Sequence, residues 1–239
     1  MGTHKTHELT ESRADQPAYR ASEASAILGI PKATILAWCF GQGYVRQDGT
    51  PKSFAPLVRP ASATSRALSF KNLCELHVLG VIRRHHGIRM PVVRKSLDYV
   101  EKRMKTNFPL VAEQFLTNGV DLFIEKASEL INVSQDGQMA LRGEFMDALA
   151  RIHRDPNGSV VRLFPYSRAG TTSNAQPTSV MVDPAIAFGR PVLVGAGVRT
   201  DVIKDRFVAG DSLAEMAEDY RVSEADIEEA LRFGQRQAA

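Results

Sequence analysis

Two helix-start signals close together near the end of this chain set the tightest limit on its fold. Ser212-x-x-Glu215 and Ser223-x-x-Asp226 are capping boxes. In each, a hydroxyl and a carboxylate satisfy orphan backbone donors at a helix start. The helix opened by Ser212 must therefore end before Ser223. A further short helix is expected from about Asp201 to Val208, with Thr200 as its cap and Gly210 as its stop. Helices this short do not hold themselves up in water. Leu213, Met216, Ala217 and Tyr220 form one apolar stripe, and Ile227, Ala230 and Leu231 form the next. The pattern predicts a trihelical knot with a helix-turn-helix look. In front of it, Pro184, Gly189, Pro191, Gly195 and Gly197 punctuate a strand–turn opening around the apolar run Val192 to Val194.

Charge argues against DNA binding at this end. The last helix opens with Glu224, Asp226, Glu228 and Glu229, a face that phosphates repel. A protein-binding module is the functional reading. A plain structural helical domain would carry the same pattern.

The formal net charge of +3 hides an asymmetry. Residues 1–105 hold 17 Lys/Arg against 8 Asp/Glu, residues 106–177 hold 6 against 8, and residues 178–239 hold 7 against 11. A basic front favours nucleic acid through counterion release. An acidic back favours a protein partner, a basic one above all. Solvated surfaces without a partner would look the same.

The 239 residues allow two domains with sizeable cores. At 44% hydrophobic and 24% charged, the composition is globular. No apolar run approaches the ~20 residues that cross a bilayer. Residues 1–17 lack the apolar segment of a secretory signal and read as a polar, disordered lead-in. Cys39 and Cys74 sit in apolar helical patterns, so buried free thiols in a cytoplasmic protein are expected.

Residues 19–45 give the best DNA-binding signal. Ser22 is placed to cap a helix through about Leu28, Gly29-Ile30 turns the chain, and Pro31 opens a second helix, PKATILAWCF. Ala24, Ile27, Leu28, Ile30, Ile35 and Trp38 interlock as a helix-turn-helix core. Lys32 and Thr34 fall on the first turn of the second helix, where base edges and phosphates are met, and Arg20 leads into the first. A generic two-helix corner has the same spacing. Next comes a wing: the strand-like pieces YVRQ and FAPLVRP around the turn QDGTPK, studded with Arg46, Lys52 and Arg59. A basic hairpin beside such a helix pair can follow a phosphate backbone.

Ser69 caps the helix SFKNLCELHVLGVIRRHHG, with Leu73, Leu76, Leu79 and Ile82 inward, and Pro91 starts another. Arg83, Arg84, Arg94 and Lys95 are further phosphate candidates, or solvated helix ends. His77, His85 and His86 have no Cys or carboxylate at ligand spacing, so they read as surface histidines rather than metal ligands.

Residues 106–177 read as an α+β segment. Strands are expected over Pro109–Phe115, Val120–Glu125 and Leu130–Val133, with a turn at Asp136-Gly137. The stretch QMALRGEFMDALARIH is an amphipathic helix with Leu141, Phe145, Leu149 and Ile152 on one side. A turn follows at Asp155-Pro156-Asn157-Gly158, then the strand SVVRLFPY, whose sheet takes in Val180 to Val182. Arg168 to Pro177 reads as a mobile loop. GxSxG, Walker, HExxH and CxxC motifs are absent, and no paired carboxylates sit in an apolar setting. No catalytic or metal residue is assigned, no cofactor is expected, and the reading is not an enzyme.

The series PxIxFGRPVxxGxGxxTxxIxxRFxAGxSxxEMAxDYxVSxxxIxxAL, from Pro184 on, resembles the DUF433 domain. That small helical domain is common in antitoxins of bacterial VapBC-type toxin–antitoxin pairs. The rest of the chain resembles the longer antitoxins of this type, which carry a MerR-like helix-turn-helix in front. The resemblance implies a partner, a VapC-like PIN-domain toxin, together with promoter DNA and a homodimer with no membrane association. On this plan residues 18–105 are the DNA-binding domain, 106–177 an α+β linker region and 178–239 the toxin-binding domain.

Within the MerR-like class, the arginine that usually follows the Thr-Leu pair of the second helix is Leu36 here. PIN toxins hold Mg²⁺ in an acidic cluster, so an arginine delivered there would displace metal. Arg232 and Arg236 are the candidates; each would also ease the helix dipole as a last-turn cation. A stand-alone MerR-like regulator with a ligand-sensing or dimerising back domain is the alternative. The expected fold class is α+β and mainly helical: an N-terminal winged helix-turn-helix, a central small sheet with a helix, and a C-terminal trihelical domain.

Overall fold

The computed structural model describes residues 13–45, 49–84, 88–106, 108–113, 115–131, 133–168 and 176–235. Among the described residues the chain is mainly helical, with three small two-stranded antiparallel sheets.

Helix α1 spans Ala21–Leu28 and α2 spans Lys32–Phe40. Gly29 separates them at φ 64°, a left-handed position where a side chain would be strained. The N-cap of α1 is Arg20, not Ser22, and the Glu23 carboxylate accepts the Arg20 N–H at 2.7 Å. After α2, Gly41 at φ 76° turns the chain at once into β1, Gln42–Val45. This strand pairs with β2, Pro51–Phe54, in the register Gln42↔Phe54 to Val45↔Pro51. The hairpin thus starts earlier and ends earlier than YVRQ and FAPLVRP suggest. Beyond Phe54, the Leu57 and Val58 N–H groups donate to the Trp38 carbonyl at 2.6 and 3.1 Å and pull the chain back onto α2.

Helix α3, Phe70–Arg84, is buried almost all round. Ser69 caps it as expected, its Oγ accepting from Asn72 N at 3.2 Å while Asn72 Oδ1 accepts from Ser69 N at 3.0 Å. His77 is not a surface histidine. It is 4% exposed and its ring stacks on Tyr166 with centroids 5.0 Å apart, because the helix Gln135–Ala150 packs against α3 and leaves it no solvent face there. His85 and His86 lie outside the described residues. Helix α4, Met90–Met104, carries Pro91 in its first turn.

The central segment departs most from expectation. Pro109–Val111 is a 3₁₀ turn, Phe115–Gly119 a π turn, and Val120–Ile131 is helix α5 rather than a strand. The physical reason is the spacing of its buried residues. Val120, Phe123, Ile124 and Ala127 recur at helical, not alternating, intervals. Asp136-Gly137 is no turn between elements. It lies in the first turn of α6, Gln135–Ala150, where the Ser134 hydroxyl caps Gly137 N at 3.2 Å. Phe115 and Phe123 each meet Phe145 edge-on, with centroids 5.8 and 5.2 Å apart. Ile152–Arg154 is β3, its first two residues expected as helix, and it pairs with β4, Val160–Leu163, across a turn held by Asp155. Leu163 and Val182 exchange backbone hydrogen bonds of 2.9 and 2.8 Å, which joins this hairpin to β5, Val180–Met181, and so to β6, Val192–Leu193.

One apolar core runs from Ala14 through α1 to α6 and on to Val182, with residues on both sides of position 105. Of the expected disordered lead-in, residues 1–12 lie outside the described residues, whereas Ala14 is buried and Asp15 pairs with Lys71 at 2.9 Å. A second core belongs to α7, Thr200–Ala209, α8, Leu213–Tyr220, and α9, Glu224–Gln235. Its buried members include Ile203, Met216, Ile227, Ala230 and Phe233, with Leu213 and Tyr220 packed at its edge. Both capping boxes form, and Gly210 ends α7 at φ 110°. The N-cap of α7 is Arg199; Thr200 is already inside the helix and buried.

Candidate functional site

Two surfaces carry the residues singled out from the sequence. On the first, Arg20 and Lys32 are exposed at the starts of α1 and α2, and Thr34 is half-buried one turn into α2. Leu36 packs partly into the core. The Lys52 backbone lies in β2 opposite Tyr44, while Arg46 falls outside the described residues. Arg59 is exposed but its guanidinium is held by Glu101 of α4, and Arg94 of α4 donates to the Pro56 carbonyl at 3.2 Å. These pairs tie the segment after the hairpin to α4. Each is a surface contact of small net worth.

The second surface is the C-terminal helical unit. Arg232 sits 46% exposed on α9, bonded to Glu228 at 2.5 Å and within 3.6 Å of Glu229. Arg236 lies outside the described residues. The row of carboxylates that opens α9 divides into two sets. Glu224 and Glu228 face solvent, whereas Glu229 is 4% exposed and receives Ser167 Oγ and Arg168 at 3.1 Å. Asp226 accepts from Ser179 Oγ and Ser223 Oγ, each at 2.6 Å, and these bonds hold its carboxyl below the usual range. Half of the acidic face is thus taken up inside the molecule, Glu229 by the central segment and Asp226 by Ser179 ahead of β5. The sequence spacing showed the acids but not that long-range partners absorb two of them.

The two surfaces are clasped together. Tyr19 Oη donates to the Gly189 carbonyl at 3.1 Å, and Arg190 pairs with Glu23 of α1. Burial raises the Glu23 carboxyl, but the Arg20 N–H and the Arg190 guanidinium outweigh it and hold the group below its ordinary value. Burial pushes the Tyr19 hydroxyl up, so it stays a donor. No pattern in the sequence announced this clasp. Its signal was the FGRP turn, noted only as punctuation.

Inside the front core, Glu75 is 2% exposed and burial pushes its carboxyl up to about 8, with Asn72 Nδ2 at 3.4 Å as an opposing donor. Cys39 and Cys74 are free and buried, with the Cys39 thiol pushed up to about 12 by desolvation. Arg151 is buried and donates to backbone carbonyls of Phe164 at 2.7 Å and Pro177 at 2.8 Å, closing the neck of the segment between them. Residues 169–175, most of the expected mobile loop, lie outside the described residues. Among the described residues no three His, Cys, Asp or Glu gather as a metal site, and no helix is long and apolar enough to cross a membrane.

Residues 180–233 match the DUF433 family, described as a protein of unknown function. Over 242 residues the chain is 29% identical to a Mycobacterium tuberculosis (strain ATCC 25618 / H37Rv) protein named "Putative antitoxin VapB45", covering 92% of this chain and 95% of that relative. The crystal structure of Rv2018 from Mycobacterium tuberculosis shares the fold, with a TM-score of 0.62 and 23% identity over 92% of this chain and 99% of that one. Residues 180–233 thus resemble a DUF433 domain, and the chain along most of its length is similar to a protein named as an antitoxin.

Proposed function

We propose that this chain is the antitoxin of a type II toxin–antitoxin pair. It binds and silences a VapC-like PIN-domain ribonuclease through its C-terminal domain and regulates its own operon by binding promoter DNA as a homodimer. The observation that carries the reading is the similarity to an antitoxin-named relative along nearly the full length of both chains. The charge division supports it, with a basic front suited to phosphates and an acidic back suited to a basic protein.

The N-terminal half of the reading is a winged helix-turn-helix in which α1, the Gly29 turn, α2 and the β1–β2 hairpin form the DNA-facing unit. Arg20, Lys32, Thr34, Arg46, Lys52 and Arg59 contact the duplex. Arg59 leaves Glu101 to do so, a modest cost for an exposed pair. Leu36 supplies no phosphate contact, so affinity rests on the first turn of α2 and the hairpin. In the C-terminal half, Arg232 and Arg236 are candidates to enter the toxin's acidic cluster, where Arg232 exchanges Glu228 for the toxin's carboxylates.

The test is co-expression with the product of the adjacent reading frame, followed by size-exclusion chromatography. A stable complex supports the reading. No complex, together with tight binding to the chain's own upstream DNA, would instead identify a stand-alone regulator.

A further inference from the structure

Among the described residues, few large apolar side chains are exposed, and three of them lie on the ten-residue helix α7: Val202, Phe207 and Val208. Phe207 is 46% and Val208 77% exposed. Phe207 stands on the wall of a groove of about 350 Å³ between α7 and α9. Leu213 and the buried Leu231 also line it, with Glu228 and Arg232 at its edge. An aromatic beside an aliphatic-lined groove, continued by an exposed valine, is the composition of an interface centre rather than of ordinary surface.

Charge decides what occupies it. Arg206 is consumed by Asp211 at 2.5 Å and Asp219 at 2.7 Å, and Arg232 by Glu228 at 2.5 Å. Asp205, Glu218 and Glu224 remain exposed on the same three helices, against the exposed Arg221 and the half-buried Lys204. The domain carries 11 Asp/Glu against 7 Lys/Arg. A second copy docking here through a two-fold axis would bring two net-acidic domains together. A protein with an apolar knob ringed by lysine or arginine is complementary.

We propose that the α7–α9 groove, anchored by Phe207, is the docking surface for a protein with a basic-rimmed apolar face, and that this protein is the toxin partner. The inference rests on the antitoxin reading and adds its location. Contact begins on apolar surface at Phe207, and Arg232, at the groove's edge, reaches toward the toxin's carboxylates while the surrounding acids meet the basic rim. Interface centres of this kind concentrate binding energy in few side chains.

The experiment measures binding of the adjacent reading frame's product to full-length wild type, Phe207→Asp, Val208→Asp and Met139→Asp. Met139 is an exposed apolar residue on α6, outside the groove. Phe207→Asp should weaken binding by about 30-fold or more, and Met139→Asp should leave it unchanged. Because Phe207 and Val208 are exposed, both variants keep the wild-type circular dichroism and melting curve. Tight wild-type binding that neither Phe207→Asp nor Val208→Asp weakens would overturn the location while leaving the antitoxin reading standing. No wild-type binding would overturn both. A self-association measured by sedimentation that Phe207→Asp abolishes would assign the groove to a second copy and also overturn the proposal.

Discussion

Tyr19 Oη and the Gly189 carbonyl meet at 3.1 Å across 170 residues of sequence, in a buried contact that fastens the first helices to the segment that matches DUF433. Gly189 sits at φ 73°, and a Cβ there would lie 2.1 Å from the Tyr19 oxygen. The position is closed to any side chain by both backbone and neighbour.

Gly189→Ala should therefore destabilise the protein by about 2–4 kcal/mol, combining left-handed strain with loss of the hydrogen bond. Tyr19→Phe, which only leaves the carbonyl unsatisfied, should cost about 1–3 kcal/mol. Urea unfolding of both variants checks the order. If alanine at 189 costs less than phenylalanine at 19, the clasp is not as described.

Stability should depend on pH through Glu75. Its folded carboxyl titrates near 8 against an ordinary 4.5, because burial penalises the charge. The folded state thus holds a proton that the unfolded chain releases. The resulting stability is fully present below about pH 4.5 and is lost as pH rises through 8. Replacing Glu75 by Gln should flatten that slope. A slope that persists in the variant would assign the pH dependence to other groups.

Both cysteines should be silent in the folded protein. Desolvation raises the Cys39 thiol to about 12 and the Cys74 thiol further, so neither offers thiolate at neutral pH. Ellman's reagent should detect neither thiol at pH 8 in native buffer and both in guanidinium. Prompt native labelling would contradict their burial.

For DNA, Lys32→Ala should weaken promoter binding and reduce the log–log salt slope by roughly 0.9, the value of one phosphate contact. Arg46→Ala should act in the same way. An unchanged slope removes either residue from the interface.

The two ends of the chain were legible in the sequence because their signals are local. Ser212, Ser223 and Ser69 start helices with partners three residues away, and Gly29 and Gly210 mark the bends by their own conformational freedom. The centre was misread where a short apolar run fits two periods. Val120–Glu125 looks extended until Ala127 is counted, and Gly137 looks like a turn until Ser134 is seen capping it. At the site, exposed Lys32 and the capped acids of α9 followed from spacing. The burial of Glu229, the Tyr19–Gly189 clasp and the loss of Arg59 to Glu101 did not, since each depends on a partner far along the chain.

Antitoxin action is tested by the ribonuclease activity of the adjacent reading frame's product, titrated with this protein. RNA cleavage should fall to background at a fixed molar ratio, and Phe207→Asp should shift the titration to higher concentration. Cleavage that continues undiminished in a saturating excess of the folded wild-type chain would contradict antitoxin action.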